Sequence, residues 1–178
     1  MSRVGKQIVD IPAKVEVSYD GSFFKVKGPL GELTRVIRKE IDVKIADKQI
    51  TFEPKDDTIP TRALWGTTAA HIINMIKGVT EGYTKKMTIE GVGFKVELKG
   101  SQLVFSLGFS HPVVMDIPVG IKATIEKNLL TLSGHDKETV GQFSAQIVAN
   151  KPPEPYKGKG IIYEGLVVRR KQGKRSVA

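Results

Sequence analysis

The chain has 178 residues and a mass of 19.5 kDa, room for one medium domain or two small ones. At 40% hydrophobic and 26% charged residues it reads as globular, and the absence of cysteine excludes a disulfide framework, a thiol nucleophile and a thiolate zinc site. The net charge of +9 is uneven: residues 150–178 hold eight Lys/Arg against two Glu, a net of +6, while residues 1–149 hold twenty against seventeen Asp/Glu, a net of +3.

The opening stretch MSRVGKQIVDIPAK lacks the apolar core of a signal peptide, and no run approaches the roughly 20 apolar residues a bilayer demands. A soluble, unprocessed, cytoplasmic protein with no membrane partner is expected. VEVSY and FFKVK then alternate apolar and polar residues around the turn tripeptide Asp20-Gly21-Ser22, and VKIA and QITFE do so around Asp47-Lys48. From Thr58 to Val79 the period becomes helical, with Ala63, Leu64, Ala69, Ala70, Ile72, Ile73, Ile76 and Val79 near one stripe. Pro60 suits a first turn, and Gly78 with Gly82 suits termination. Strand-like MTIEG, FKVELK, QLVFSLG, HPVVMDI, IKATIE and LLTLS follow, and then a helix starting near Asp136 that turns Val140, Phe143, Ile147 and Val148 inward.

The chain repeats itself. DGSFFKVKG (Asp20–Gly28) is echoed by KGSQLVFSLG (Lys99–Gly108), and IADKQITFEP (Ile45–Pro54) by IEKNLLTLSG (Ile125–Gly134), each time about 80 residues on. Two echoes in one order at one offset imply a duplicated unit. The expected fold class is α+β: two duplicated small domains, 1–82 and 83–178, each with antiparallel β-sheet and one helix around a single core. A short linker near Glu81-Gly82-Tyr83-Thr84 joins them.

Catalytic chemistry leaves no trace. His71, His111 and His135 share no metal-ligand spacing and no accompanying carboxylate motif. EGVGFK lacks the third glycine of a dinucleotide cradle, and GKGIIYEG lacks the spacing and the Ser/Thr of a phosphate loop. No enzyme activity, metal, cofactor or small-molecule substrate is expected. Gly91, Gly93 and Gly100 read as bulges and tight turns, with close approach of a phosphate backbone as the alternative.

The end of the chain is different in kind. KPPEPYKGKG (Lys151–Gly160) packs three prolines, three lysines and two glycines into ten residues, a mixture that no helix or central strand tolerates. The prolines make a stiff, extended elbow, and Gly158 and Gly160 permit sharp bends and close backbone contact. Tyr156 offers a face for stacking on a base or for packing on the domain, and Lys157 and Lys159 place cations on either side of Gly158. IIYEGLVV is apolar enough to return to the domain as a strand, after which RRKQGKR projects outward. A charged run is commonly a mere solvated face. A stiff elbow with interleaved cations on a nearly balanced body suits an irregular polyanion, structured RNA above a membrane surface. The expected RNA-binding set is Lys151, Tyr156, Lys157, Gly158, Lys159, Gly160, Arg169, Arg170, Lys171, Lys174 and Arg175.

PEPYKGKG (Pro153–Gly160), Tyr163 and RRKQGK (Arg169–Lys174) resemble the C-terminal signature of ribosomal protein six of the large subunit, in its bacterial form. VKGPLGEL (Val26–Leu33), NMIKGVTEGY (Asn74–Tyr83), IEGVGFK (Ile89–Lys95), LGFSHPV (Leu107–Val113) and DKETVGQ (Asp136–Gln142) resemble blocks of the same family, so the likeness spans essentially the whole chain. Ile162 stands where that family commonly carries a basic residue, and Leu166 where it commonly carries an acidic one. The resemblance implies a structural ribosomal protein that binds large-subunit (23S) rRNA mainly through the second domain and tail. It further implies neighbouring large-subunit proteins as partners and a place near the base of the factor-recruiting stalk, by the region that translational GTPases engage. A regulatory RNA-binding module outside the ribosome is the alternative.

Overall fold

The computed structural model describes residues 3–174 and divides into two compact units, Met1–Gly82 with His135–Lys137 and Tyr83–Gly134 with Glu138–Ala178. In the first unit six strands precede one helix: β1 (Val9–Asp10), β2 (Glu16–Tyr19), β3 (Phe23–Gly28), β4 (Gly31–Val36), β5 (Ile41–Ala46), β6 (Gln49–Pro54) and α1 (Ile59–Thr80). They form two antiparallel sheets, ordered β2-β3-β4 and β1-β6-β5.

Local chemistry dictates these elements. At the β2–β3 turn the Asp20 carboxylate accepts from the Phe23 and Ser22 amides at 2.6 and 3.0 Å, and Gly21 takes φ +89°. Those amide bonds, Phe23 foremost, hold the Asp20 carboxyl below its ordinary pKa. Asp47 and Lys48 both adopt positive φ, as a two-residue hairpin demands. Alternation then places Phe24 and Val26 fully inside while Lys25 and Lys27 face solvent.

Helix α1 is capped by Thr58, whose hydroxyl accepts from the Thr61 amide, and has proline within its first two positions. Its buried stripe runs through Trp65, Ala69, Ile72, Met75, Ile76 and Val79; of the expected residues Ala69, Ile72, Ile76 and Val79 are buried, Leu64, Ala70 and Ile73 are half-buried and Ala63 is exposed, while Trp65 and Met75 are inside beside them. The Trp65 indole N–H donates to the Phe52 carbonyl at 2.9 Å, which satisfies its one polar atom. Gly78 does not end the helix as expected. It lies buried within α1, and the chain turns at Gly82, φ +78°.

The second unit contains β7 (Tyr83–Glu90), β8 (Lys95–Lys99), β9 (Gln102–Ser106), β10 (Val113–Asp116), β11 (Ile121–Glu126), β12 (Leu129–Gly134), α2 (Lys137–Asn150) and β13 (Gly160–Tyr163). Its sheets are β10-β9-β8 and β11-β12-β7-β13. The order β8-β9-β10 repeats β2-β3-β4, and β7-β12-β11 repeats β1-β6-β5, so the echoes in the sequence are echoes in topology. Each unit closes its own core. Phe24, Ile41, Ile50 and Ile72 centre the first, and Met87, Leu103, Phe105, Leu130, Leu132 and Ile147 the second. Val140 and Phe143 of α2 are buried as expected, and Val148 is half-buried.

Strand β13 has no counterpart among the described residues of the first unit. It pairs antiparallel with β7, from Gly160 opposite Glu90 to Tyr163 opposite Met87. The returning strand is shorter than IIYEGLVV suggests. Gly165 turns at φ +83°, the Leu166 amide bonds back to the Tyr163 carbonyl at 3.0 Å, and Leu166 and Val167 are exposed. β1 and β4 are further strands that alternation had not marked out.

Candidate nucleic-acid interface

Helix α2 stops at Asn150 because Pro152 and Pro153 supply no amide donors and cannot continue it. The elbow beyond it is a closed loop with internal bonds. The Glu154 amide donates to the Lys159 carbonyl and the Gly158 amide to the Glu154 carbonyl, both at 2.8 Å. The Ile161 amide then donates to the Lys151 carbonyl at 2.9 Å, which delivers the chain into β13.

The two glycines are required by different things. Gly158 takes φ +72° and Gly160 φ +144°, both rarely adopted by L side chains. A Cβ at Gly160 would lie 2.6 Å from the Pro152 carbonyl oxygen and 2.8 Å from the Pro153 Cα, main-chain atoms that cannot move aside cheaply. A Cβ at Gly158 would meet the Arg170 side chain at 3.0 Å. Arg170, twelve positions later in sequence, therefore lies over the bare Gly158 backbone, and the Lys171 amide donates to the Pro155 carbonyl at 2.8 Å.

The expected residues are thus partly assembled. Tyr156 and Lys157 are exposed on the elbow, Lys159 is half-buried, and Gly158 and Gly160 are buried at its base. Arg169, Arg170, Lys171 and Lys174 are exposed, with Arg170 and Lys171 brought against the elbow. Arg175 lies outside the described residues. Lys151 is engaged differently: its Nζ sits 4.8 Å from the centroid of the Phe109 ring. Ile162 is buried in β13 at 9% exposure, which explains an apolar residue there; a charge would be desolvated without a partner.

Lys85 and Lys86 of β7 escaped the sequence reading. Lys85 Nζ lies 5.6 Å from the Tyr163 ring centroid, and Lys86 pairs with Glu164 at 3.5 Å. Only the register of β13 on β7 brings them beside the elbow's exit, and no local pattern in the sequence encodes that pairing.

The electrostatics of the two units differ. In the first, Lys25 pairs with Glu32, Lys27 with Glu16, Lys44 with Glu53, Arg62 with Asp57 and Lys77 with Glu81. Hydrogen bonding from Lys25 holds the Glu32 carboxyl low, and Arg62 does the same for Asp57. From Lys157 to Lys174 no cation is paired with a carboxylate among the described residues.

Among the described residues no group of three or more His, Cys, Asp or Glu could hold a metal, and no helix is long and apolar enough to cross a membrane. His71 Nε2 lies 3.1 Å from an Arg35 guanidinium nitrogen, within the first unit. Gly93 and Gly100 adopt φ +76° and +61°, the tight turns expected of them, and the Phe94 ring lies where a Gly91 side chain would be.

Fold and surface together define a class: a duplicated α+β scaffold with a balanced first half and a basic C-terminal extension built on a shaped elbow. The family model for ribosomal protein L6 matches in two stretches, residues 11–82 and 90–164. The large ribosomal subunit protein uL6 of Opitutus terrae is 49% identical over 176 residues, covering 98% of each chain. Its namesake from Mycoplasmopsis pulmonis is 47% identical over 177 residues, and that from Campylobacter jejuni 46% over 178, each covering 99% of both chains. The chain belongs to the ribosomal protein L6 family, whose members are structural proteins and not enzymes.

Proposed function

We propose that the chain is a structural constituent of the large ribosomal subunit in the cytoplasm, and that it binds 23S rRNA mainly through residues 83–178. The observation that carries this reading is the contrast in charge pairing. In the first unit Lys25, Lys27, Lys44, Arg62 and Lys77 pair with carboxylates, while Lys157, Lys159, Arg169, Arg170, Lys171 and Lys174 have no carboxylate partner among the described residues. Unpaired cations on a shaped loop exchange their counterions for phosphates. Tyr156, 55% exposed, is free to stack on a base or ribose. The nearly balanced first unit, whose residues 1–82 hold thirteen Lys/Arg against eleven Asp/Glu, suits a face toward neighbouring proteins or solvent. A position near the base of the factor-recruiting stalk, by the region that translational GTPases engage, belongs to the same proposal and rests on the family resemblance.

Binding to transcribed 23S rRNA should show a log–log salt slope of about −4 to −6, the release expected from five to seven phosphate contacts at about 0.7–0.9 each. Removing residues 169–178 should make that slope shallower by several units. An unchanged slope refutes the tail as the anchor. Co-sedimentation with large subunits at raised salt separates the ribosomal reading from a regulatory RNA-binding module.

A further inference from the structure

The basic tail does not leave the domain at the end of β13. Two independent features return it to the elbow. The Lys171 amide donates to the Pro155 carbonyl at 2.8 Å, and the Arg170 guanidinium lies over Gly158, with Nε and Nη2 at 3.0 and 3.1 Å from where a Cβ would stand. The seat itself is fixed by the Glu154–Lys159 and Glu154–Gly158 bonds and by Gly160 pressed against Pro152. Proline at 155 suits this role, since its ring fixes φ and so removes one of the two torsions that position the accepting carbonyl. Between β13 and these contacts, Leu166 and Val167 are exposed, so their own burial does not hold the tail in place.

We infer that the elbow is a latch: Gly158 and the Pro155 carbonyl pre-order Arg170 and Lys171 in the free protein, so that Lys157, Lys159, Arg170 and Lys171 meet a polyanion as one preformed cluster. The inference rests on the proposed binding to rRNA only for the identity of the polyanion. Ordering one residue costs about 1–2 kcal/mol, or about tenfold in an equilibrium constant. A cluster ordered beforehand spares the complex that cost at each latched residue. Gly158 is here a positioning residue: any side chain at that point crowds the Arg170 guanidinium and strains a backbone at φ +72°.

The test uses the full chain. In free wild-type protein the Lys171 amide should exchange at least tenfold more slowly than in a peptide of residues 166–178. Gly158→Ala, which leaves every tail charge in place, should speed it severalfold. Lys171→Ala and Lys171→Pro lose the same charge, but only the second loses the amide donor. For transcribed 23S rRNA, Lys171→Pro should bind about tenfold more weakly than Lys171→Ala at an equal salt slope. Lys171 exchange at the peptide rate, or equal affinities for the two variants, overturns the latch. A slow Lys171 amide in a chain with no affinity for rRNA instead overturns the proposed function and leaves the latch standing.

Discussion

Replacing Gly160 with alanine tests whether the elbow is held by sterics or merely decorated with glycine. The added Cβ would stand 2.6 Å from the Pro152 oxygen and 2.8 Å from the Pro152 carbon and Pro153 Cα, on a residue already at φ +144°. Backbone strain of this kind costs about 1–3 kcal/mol, and forced overpacking costs a similar amount, so Gly160→Ala should lose about 2–5 kcal/mol. The strain could be relieved by lifting β13 off β7. That would expose Ile161 and Ile162, 0% and 9% accessible, at about 1.5–3 kcal/mol each, and would break ladder bonds of about 0.5–1.5 kcal/mol apiece. Detachment costs more than the strain, so the strand should stay docked and the whole unit should bear the loss. Gly165→Ala is the control. It shares a positive φ of +83° but opens into empty space, and it should cost only about 1 kcal/mol. Urea denaturation with unchanged m-values would report both. A Gly160→Ala midpoint equal to wild type, or equal losses at the two sites, would refute the steric argument.

Two further outcomes are expected. The Asp20 carboxyl is held below its ordinary pKa by the Phe23 and Ser22 amides, so its contribution to stability is present above the ordinary carboxylate value and is lost as pH falls through the depressed folded value; Asp20→Asn should therefore lose less stability than wild type on acidification below about pH 4, measured by thermal melts. Phe24→Ala, which empties a fully buried site in the first core, should cost about 3–5 kcal/mol and lower the denaturation midpoint reported by Trp65, the only tryptophan.

The parts of the fold legible in sequence were those that local chemistry decides. Asp20-Gly21-Ser22 and Asp47-Lys48 marked their hairpins because turn geometry is set within a few residues. The duplication was legible because both copies kept turns at matching positions and the same alternation. Helix α1 was legible within a residue at each end, and so was its buried stripe apart from Ala63, Trp65 and Met75. Ala63 fits the period but faces solvent, and Trp65 was claimed by the core because Phe52 offers its indole an acceptor. The two-residue β1 carries too little pattern to be seen. At the candidate interface, composition and the Pro/Gly pattern picked out the elbow and its cations. The contacts of Arg170 with Gly158 and of Lys171 with Pro155, like the approach of Lys85 and Lys86, depend on register between distant segments, which local periodicity does not carry.

The added strand β13 also sets an order of events in biosynthesis. The first unit has every strand and helix it needs once Thr80 has been made. In the second, β7 comes first but must wait for β12 and then β13, whose Tyr163 lies opposite Met87. Pairings this distant in sequence slow folding, because the intervening chain must be closed before the contact repays it. Ile161 belongs to the second core, so that core stays open on one flank until almost the whole polypeptide has emerged. Completion of the second unit and delivery of its basic end are therefore nearly one step, and a chain truncated by chance before residue 160 would lack both.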